Sequence, residues 1–453
     1  MRQSGQRWAM SLRLAKGLAA AVLAVVGRPP ALAQPAAPSL QPFTILVPRD
    51  YTKPAAGSVP LRMAVARALH PRPGAEPIFV VEALGESGVD AAGRGLIDSL
   101  QALRETHDLV FVDQRGTSLS PLLCPAVDAG ATLAEQAAPI FGRAQLESCR
   151  VSFEHNNKFG DLNSRTFAED LESVRRKLRY KRIELIGYFY GTRIVEQYIA
   201  RWPSRVSAAV LADMSPMDYP AALAEAGALS ASVAGTLRAC RADGPCAGRY
   251  PDLEAEWTRA TALLSGNTGG VDGTGILYWM KLRTLRWASA ASWPRDVDAI
   301  ANGHLPAVVQ DYIAYRRSLL SSYPLALRIA VDCAENIPGR EPAGAAAAEQ
   351  KECAKWPVRR LAPGLPRIRV PVLAVSGAFD IEAPANAVRR AIATFANAQL
   401  VLFPNRARAT DVDWSECLGP MVTDYLQSSG RARPDSSCAV RLMRPPFVIA
   451  PPQ

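Results

Sequence analysis

Short apolar runs alternate along the chain with longer segments that carry apolar residues at helical spacing. Six of these runs are rich in Val, Ile, Leu and Phe, which is typical of strands buried on both faces of a sheet. They lie at residues 77–83, 108–113, 182–187, 207–213, 370–377 and 399–404. Two earlier runs, at 43–48 and 61–68, are predicted to form an antiparallel pair at the start of the sheet.

Helical patterns separate the strands. Residues 166–178 open with Thr-Phe-Ala-Glu, a spacing that predicts a capping box in which Thr166 caps the helix and Glu169 reaches back. A second helix is predicted over residues 192–201. Alternation of strands and helices predicts the α/β class, with a mostly parallel twisted sheet flanked by helices.

The alternation stops between residues 216 and 366, where Ala, Leu and Arg recur at helical spacing. We therefore predict four parts: a signal peptide (1–33), the first part of an α/β core (34–215), a helical cap insertion (216–366), and the second part of the core with a C-terminal tail (367–453). The insertion should lie over the carboxyl ends of the strands, where open α/β sheets bind ligands. Its tryptophans either pack in a core, which is the ordinary role, or line a pocket; they are Trp257, Trp279, Trp287, Trp293 and Trp356.

Composition narrows the class of protein. The chain has 453 residues, of which 49% are hydrophobic and 21% charged. These values exclude a mainly disordered chain and a multi-span membrane protein.

The first 33 residues resemble a secretory signal. Positive residues up to Lys16 precede an apolar run over residues 17–27, and Ala31-Leu32-Ala33 offers a cleavage site before Gln34. The run is too short to span a bilayer. The sequence predicts an exported protein, periplasmic or extracellular, without stable membrane insertion after cleavage; an uncleaved anchor is the alternative.

The formal charge of +10 does not indicate a nucleic-acid partner. Five basic residues and no acid lie in residues 1–33, so cleavage would halve the charge. The remaining arginines look scattered along the sequence, with no aromatic-interleaved basic patch. We expect no nucleic-acid binding.

Eight cysteines form an even set, which in an exported chain predicts structural disulfides. The simplest pairing joins neighbours: Cys124 with Cys149, Cys240 with Cys246, Cys333 with Cys353, and Cys417 with Cys438. No Cys-x-x-Cys spacing is present and the chain has four histidines. We predict no metal site and no cofactor.

One segment carries candidate chemistry. Residues 183–193 read IELIGYFYGTR, so a predicted strand ends in Gly187-x-x-x-Gly191 and a helix follows at once. This spacing is that of the nucleophile elbow, G-x-S-x-G, of the α/β-hydrolases. The central position holds Phe189, which has no nucleophilic atom.

Flanking segments extend the resemblance. They resemble segments of the exported proline iminopeptidase and tripeptidyl aminopeptidase family. The segments are DQRGT at 113–117, LLCP at 122–125, DLESVR at 170–175, YGTR at 190–193, and VPVL at 370–373 followed by SGAFD at 376–380. The resemblance covers about residues 43–447. It implies an α/β-hydrolase fold and, for family members, a serine hydrolase that removes amino acids or short peptides from peptide N-termini.

The family's triad carries over only in part. The resemblance implies that Asp380 is the retained acid, that Phe189 stands at the nucleophile position, and that Arg408 stands at the histidine position. An arginine does not accept a proton from a hydroxyl at neutral pH. Removing the serine or histidine of such a triad costs on the order of 10⁶ in kcat.

The oxyanion loop also departs from the family. Where family members resemble E-G-G-P-G-G-S, this chain has EALGESG at 82–88. The resemblance implies that Ala83, Leu84, Glu86 and Tyr190 line the oxyanion site or pocket. Glu86 is expected to bring a negative charge close to a site that should receive one.

Two functions follow as hypotheses. The first is an exported α/β-hydrolase-fold protein that has lost hydrolysis and acts by binding a partner, a peptide or a small molecule. In that case Arg408 either pairs with Asp380 and closes the site, or offers a fork to a ligand carboxylate. The alternative is an active aminopeptidase or esterase with a non-standard nucleophile; the candidate serines near strand ends are Ser87, Ser215 and Ser376. The sequence names no ligand and no oligomeric state.

Overall fold

The computed structural model describes residues 40–126, 131–138, 142–217, 221–266, 268, 271–335, 352–361, 368–378, 380, 383–404, 406–411, 414–442 and 446–449, without the side chains of 221–228 and 287–288. The predicted signal segment, residues 1–33, lies outside the described residues. Residues from Leu40 onward group into one compact unit.

An eight-stranded sheet runs through the described chain, in the order β1-β2-β4-β3-β5-β6-β7-β8. The first two pairings, β1–β2 and β2–β4, are antiparallel, and all the others are parallel. This confirms the predicted class and the antiparallel start. The strands are β1 (Phe43–Pro48), β2 (Ser58–Ala66), β3 (Ile78–Val81), β4 (Leu109–Val112), β5 (Ile183–Tyr188), β6 (Val206–Ala212), β7 (Val372–Gly377) and β8 (Ala398–Phe403).

The central strands are wholly buried, which is why they appear in the sequence as continuous apolar runs. Two apolar cores lie on opposite faces of the sheet, and successive residues of a strand point to alternate cores. Helices cover both faces. Those of eight or more residues are Arg143–Asn156, Ser164–Lys177, Tyr190–Arg201, Ala221–Ala242, Leu253–Ser265, Gly273–Arg283, Trp287–Ala301, Leu305–Ser322, Leu325–Glu335, Ala385–Ile392 and Gly419–Gln427.

Shorter helical turns complete the described secondary structure. The α-helical ones are Gly88–Ala91, Ile97–Ser99, Gln101–Arg104, Leu133–Gln136, Gly244–Arg249 and Cys438–Arg441. The 3₁₀ turns are Pro54–Ala56, Pro203–Arg205 and Ala409–Asp411, and the π turns are Ala92–Leu96 and Trp414–Leu418. No helix of the described ranges is long and apolar enough to cross a membrane.

The predicted capping box at Thr166 is wrong. The helix begins earlier, at Ser164, and its cap is Asn163, whose side chain accepts a hydrogen bond from the Thr166 backbone N–H at 3.0 Å. Asn is as good a cap as Ser and better than Thr, so the better cap, three residues upstream, sets the start of the helix.

Helices between Ala221 and Glu335 fall in the chain between β6 and β7, inside the predicted insertion. They enclose a third apolar core that holds Trp279 and Trp293, and Trp257 packs on Trp293 with ring centroids 5.0 Å apart. Trp356 instead joins the main core, against Phe153. These tryptophans therefore have the ordinary packing role; the side chain of Trp287 lies outside the described residues.

Four disulfides join the predicted neighbours: Cys124–Cys149, Cys240–Cys246, Cys333–Cys353 and Cys417–Cys438. The last one ties the C-terminal segment to the turn Trp414–Leu418 beside the sheet.

A buried ion pair ties the first strand to the core. Arg115 is 1% exposed and forms two bonds to Asp170, Nε to Oδ2 at 2.9 Å and Nη2 to Oδ1 at 2.5 Å. Its guanidinium also donates to the backbone carbonyls of Pro48 and Arg49 at the end of β1, and Tyr51 donates to Asp170. The pair thereby fixes the start of the sheet against the helix Ser164–Lys177.

Replacing Asp170 with Asn should lower the free energy of unfolding by about 3 kcal/mol, because it leaves the buried Arg115 charge without its counter-ion. Urea unfolding followed by tryptophan fluorescence, without reductant, measures the loss. The control is Glu254→Gln in the exposed pair Arg241–Glu254, which should cost less than about 1 kcal/mol. Equal losses in the two variants would contradict the anchoring role of Asp170.

Candidate functional site: a substituted nucleophile elbow

The turn between β5 and the helix Tyr190–Arg201, called here the elbow helix, has the form of a nucleophile elbow. Phe189 alone separates the two elements, with φ 49° and ψ −118°. This conformation is rare for a residue with a side chain. Backbone contacts hold it: the Phe189 N–H donates to the Ala212 carbonyl at 3.0 Å, and the Thr192 N–H and hydroxyl both donate to the Phe189 carbonyl.

Both elbow glycines are required by close packing. A Cβ on Gly191 would lie 2.3 Å from the Val81 carbonyl oxygen, and one on Gly187 would lie 2.8 Å from the Gly191 carbonyl oxygen. A Cβ atom essentially never comes this close to a backbone oxygen, so the elbow helix approaches the end of β3 only because these positions lack side chains.

Phe189 and Arg408, the residues that the sequence predicts at the nucleophile and histidine positions, contact each other. The Arg408 guanidinium carbon lies 4.5 Å from the centroid of the Phe189 ring, within the range of a cation–π interaction. Arg408 stands between β8 and the turn Ala409–Asp411. That loop passes so close to β7 that a Cβ on Gly377 would lie 2.1 Å from the Ala407 carbonyl oxygen.

Asp213, to which the sequence interpretation gave no role, holds this loop in place. It directly follows β6, has φ 50°, and is 2% exposed. Its carboxylate accepts hydrogen bonds from the Ala409 N–H at 2.7 Å and the Thr410 N–H at 3.0 Å, and from the Thr410 hydroxyl. Burial raises the pKa of Asp213, while these bonds and the positive charge of Arg408 act in the opposite direction. The sequence did contain a signal for this role of Asp213, since a carboxylate directly follows an apolar strand that neighbours the elbow.

Asp380, which the sequence predicts at the position of the acid, lies just past β7 and is 2% exposed. Its backbone N–H donates to the Gly377 carbonyl at 3.4 Å. The structure thus gathers Phe189, Arg408, Asp213 and Asp380 at the carboxyl ends of β5, β6 and β7 and the loop that follows β8.

The loop over residues 82–88, which the sequence predicts at the oxyanion position, is held by its backbone. Gln114 donates to the Glu82 and Ala83 carbonyls at 2.9 and 3.1 Å, and Tyr323, from the inserted helices, donates to the Leu84 carbonyl at 3.0 Å. Glu86 points outward, half-exposed and 3.9 Å from Arg94. Its charge still reaches the end of β3, where burial and Glu86 together raise the pKa of Glu82 to about 7.

The Tyr190 side chain points away from the elbow into a buried polar cluster. Its hydroxyl donates to Glu335 at 2.8 Å, and the same carboxylate accepts from the Ser164 N–H at 2.5 Å and from Arg193 at 3.2 Å. Glu335 ends the helix Leu325–Glu335, so this cluster fixes the inserted helices onto the elbow helix. Sequence analysis missed Glu335 because it lies 145 residues from Tyr190.

Other features are separate from the elbow. Within the described ranges no group of three or more His, Cys, Asp or Glu could hold a metal ion. A depression of about 310 Å³ lies beside β2 and the turn Gly88–Ala91 and includes Arg62, Val89, Asp90 and Arg94.

Comparison with known proteins agrees with the fold. The family model for the alpha/beta hydrolase fold matches residues 76–259, and the model for the TAP-like protein family matches residues 340–438. The chain belongs to the α/β-hydrolase superfamily.

The individual relatives share little sequence with this chain. Serine protease Hip1 of Mycobacterium tuberculosis and of Mycobacterium bovis is 29% identical over 140 residues, which are 28% of this chain and 27% of Hip1. The match therefore spans about a quarter of Hip1. Among solved structures, proline iminopeptidase from Mycobacterium smegmatis has a TM-score of 0.40 at 13% identity, covering 86% of this chain and 99% of that one. A thermophilic esterase from Thermogutta terrifontis has a TM-score of 0.40 at 15% identity, covering 86% and 99%.

The raised pKa of Glu82 predicts a pH-dependent stability. Between about pH 4.5 and 7 the Glu82 carboxyl stays protonated in the folded protein, whereas it loses its proton in the unfolded chain. The free energy of unfolding should therefore fall as pH rises through this window. Glu82→Gln should remove this dependence, as measured by urea unfolding at several pH values. Glu86→Gln should keep the pH dependence but end it at a lower pH, because the charge of Glu86 is one of the two causes that raise the pKa of Glu82. An unchanged pH profile in Glu82→Gln would contradict the assignment.

Proposed function

We propose that this chain is an exported α/β-hydrolase-fold protein that has lost serine-hydrolase chemistry and acts by binding. The contact between Arg408 and Phe189, 4.5 Å from guanidinium carbon to ring centroid, carries the proposal. It fills the space between the nucleophile and histidine positions with two side chains that cannot perform nucleophilic attack or proton transfer. The chain thus has the fold of the family, while the residues at these two positions lack the catalytic groups of a serine hydrolase.

The elbow offers no replacement nucleophile at its centre. A serine there would need an adjacent base to become reactive. Arg408 is a permanent cation, and the buried Asp213 already accepts three hydrogen bonds from the loop that carries Arg408. Arg408 also stands at the position from which a histidine would work with the acid, Asp380, and a guanidinium does not act as a base at neutral pH.

The alternative, a displaced nucleophile, is disfavoured by the contacts of the three candidate serines. Ser87 donates to Asp113 at 2.8 Å and caps the turn Gly88–Ala91, and Ser215 accepts from Arg193 at 3.1 Å. Ser376 is fully buried, and its hydroxyl has no partner among the described residues.

The histidines also have partners other than serine. His70 contacts Glu105 at 2.9 Å, His107 contacts Thr106 at 2.9 Å, and His155 bonds the Val151 carbonyl at 2.8 Å. His304 precedes the helix Leu305–Ser322 in the insertion. None of these contacts resembles an activated Ser–His pair.

Export is part of the proposal. The predicted signal segment and four disulfides, in a chain whose described helices include no membrane span, are the features that support it. A binding role fits a folded, disulfide-linked scaffold whose cap is fixed to the elbow helix by the Glu335 cluster.

The exported protein, purified from cells that express the full chain, should form no adduct with a fluorophosphonate probe, because no serine is activated. It should also show no turnover of aminoacyl or tripeptidyl chromogenic substrates. Intact-mass analysis and initial rates are the measurements, with an active serine hydrolase mixed into a parallel sample as the positive control. A single labelled serine accompanied by turnover would overturn the loss of catalysis.

The retained elbow predicts that chemistry can be restored at its centre. Phe189→Ser combined with Arg408→His should become labelled by the probe at position 189, because the glycines, the strained backbone and Asp380 are still present. Each single variant should stay at background, since losing either triad member costs on the order of 10⁶ in kcat. Peptide mapping locates the adduct. Absence of labelling in a folded double variant would contradict the assignment of Arg408 to the histidine position.

A further inference from the structure

The amino ends of the parallel strands carry a row of basic side chains that the sequence does not show as a cluster. Eight are exposed and none has a carboxylate within 4 Å among the described residues. They are Arg72, Lys177, Arg179, Lys181, Arg205, Arg369, Arg431 and Arg433, called here the basic edge. The interpretation of scattered arginines is therefore wrong at this end of the molecule.

Strand register places these residues side by side. Ile183 pairs with Val206, so Lys181 and Arg182 precede β5 beside Arg205, which precedes β6. Arg182 donates to the Val206 carbonyl at 3.3 Å, which joins the two strand starts directly. Ala209 pairs with Val372, and the same register puts Arg369 across from Val206.

The row continues to both sides. Arg72 is near enough to Glu184 and His107, at the amino ends of β5 and β4, to lower the pKa of both. At the other side a Cβ on Gly430 would lie 2.3 Å from Pro371, and the Ala432 carbonyl accepts from Gln399 on β8 at 3.0 Å. Arg431 and Arg433, on either side of Ala432, therefore stand at the amino ends of β7 and β8. With strands about 4.8 Å apart, the row from β3 to β8 is roughly 19 Å long.

Nearby acids do not neutralise the row. Glu76 pairs with Arg182 at 3.3 Å, Glu169 with Arg201 at 2.7 Å, and Glu172 with Arg175 and Arg176. Asp108 bonds Arg67. Burial raises the pKa of Glu184 to about 8, so this carboxyl is mostly uncharged at neutral pH. The basic edge keeps its positive charge after these pairs are counted.

We propose that the basic edge docks the protein onto a membrane surface of anionic phospholipid head groups. Guanidinium groups bind phosphate through paired hydrogen bonds, and a row of separate side chains along one edge suits an extended surface with many phosphates. Clustered Lys and Arg are attracted to anionic bilayers, each residue near the surface contributing about fivefold in affinity. The edge lies at the opposite end of the strands from the elbow, so docking leaves the candidate site and the inserted helices facing away from the membrane.

Single-stranded nucleic acid fits this edge less well. Its binding sites combine basic grooves with free aromatic faces for stacking. Two aromatic side chains lie at the starts of β5 and β6, and both are engaged in other contacts. Trp202 packs on Tyr198, with ring centroids 5.0 Å apart, and has the Arg201 guanidinium over its ring. Tyr180 donates a hydrogen bond to Asp108 and contacts Phe79.

Co-sedimentation of the full, exported protein with lipid vesicles tests the proposal. The protein should bind vesicles containing phosphatidylglycerol at low salt, should not bind pure phosphatidylcholine vesicles, and should dissociate at high salt because the contact is screened. The triple variant Arg205→Gln, Arg369→Gln, Arg431→Gln should bind phosphatidylglycerol vesicles about a hundredfold more weakly.

A matched control separates the edge from overall charge. Arg238→Gln, Arg259→Gln, Arg317→Gln removes three exposed arginines from the inserted helices and the same net charge; it should bind as the unmodified protein does. Circular dichroism checks that both variants fold. An equal loss in the control, no binding to phosphatidylglycerol vesicles, or tighter binding to single-stranded DNA or polyglutamate than to vesicles would each overturn the proposal. None of these results depends on whether the elbow is catalytic.

Discussion

The close approach of the elbow helix to strand β3 is the constraint on which the site depends. Val81 ends β3, and its carbonyl oxygen lies where any side chain on Gly191 would have to be. With the helix drawn so near the sheet, the chain has one residue in which to turn, and Phe189 adopts a conformation that costs on the order of 1–3 kcal/mol. Backbone bonds to Ala212 and Thr192 hold that conformation, so it does not depend on which side chain stands at its centre. A phenylalanine can therefore stand at the centre of this turn without unfolding it.

The charges around the elbow are consistent with a phenylalanine at its centre. A guanidinium above an aromatic face is stabilised by the ring's electrons, whereas the same cation over a serine hydroxyl would have no such contact. Asp213 accepts three hydrogen bonds from the loop that carries Arg408, and the positive charge of Arg408 favours its ionised form. Phe189, Arg408 and Asp213 are therefore mutually consistent as a structural unit. A nucleophile at position 189 without a base at position 408 would lack both this packing and the chemistry.

The sheet and the elbow could be predicted from the sequence because their signals are local. Strands buried on both faces must be apolar throughout, and an elbow must carry glycines at fixed spacing. The Asn163 cap was also a local signal, although the later Thr166 resembled a capping box more closely. Contacts between distant segments had no such signal: Glu335 meets Tyr190 across 145 residues, and Asp213 meets Thr410 across 197. The basic edge was missed for the same reason, because its residues precede different strands and become neighbours only through strand order.

Energetic differences between the two ends of the sheet support a role for the basic edge outside folding. Two arginines buried near the carboxyl ends are paired, Arg193 with Glu335 and Arg115 with Asp170, and an unpaired buried charge at either place would destabilise the fold by several kcal/mol. The exposed side chains of the basic edge have no such partners among the described residues, and their mutual repulsion opposes the compact state. A row of like charges that weakens the fold is not explained by packing. It is explained by an anionic surface that supplies the missing counter-charges from outside the molecule.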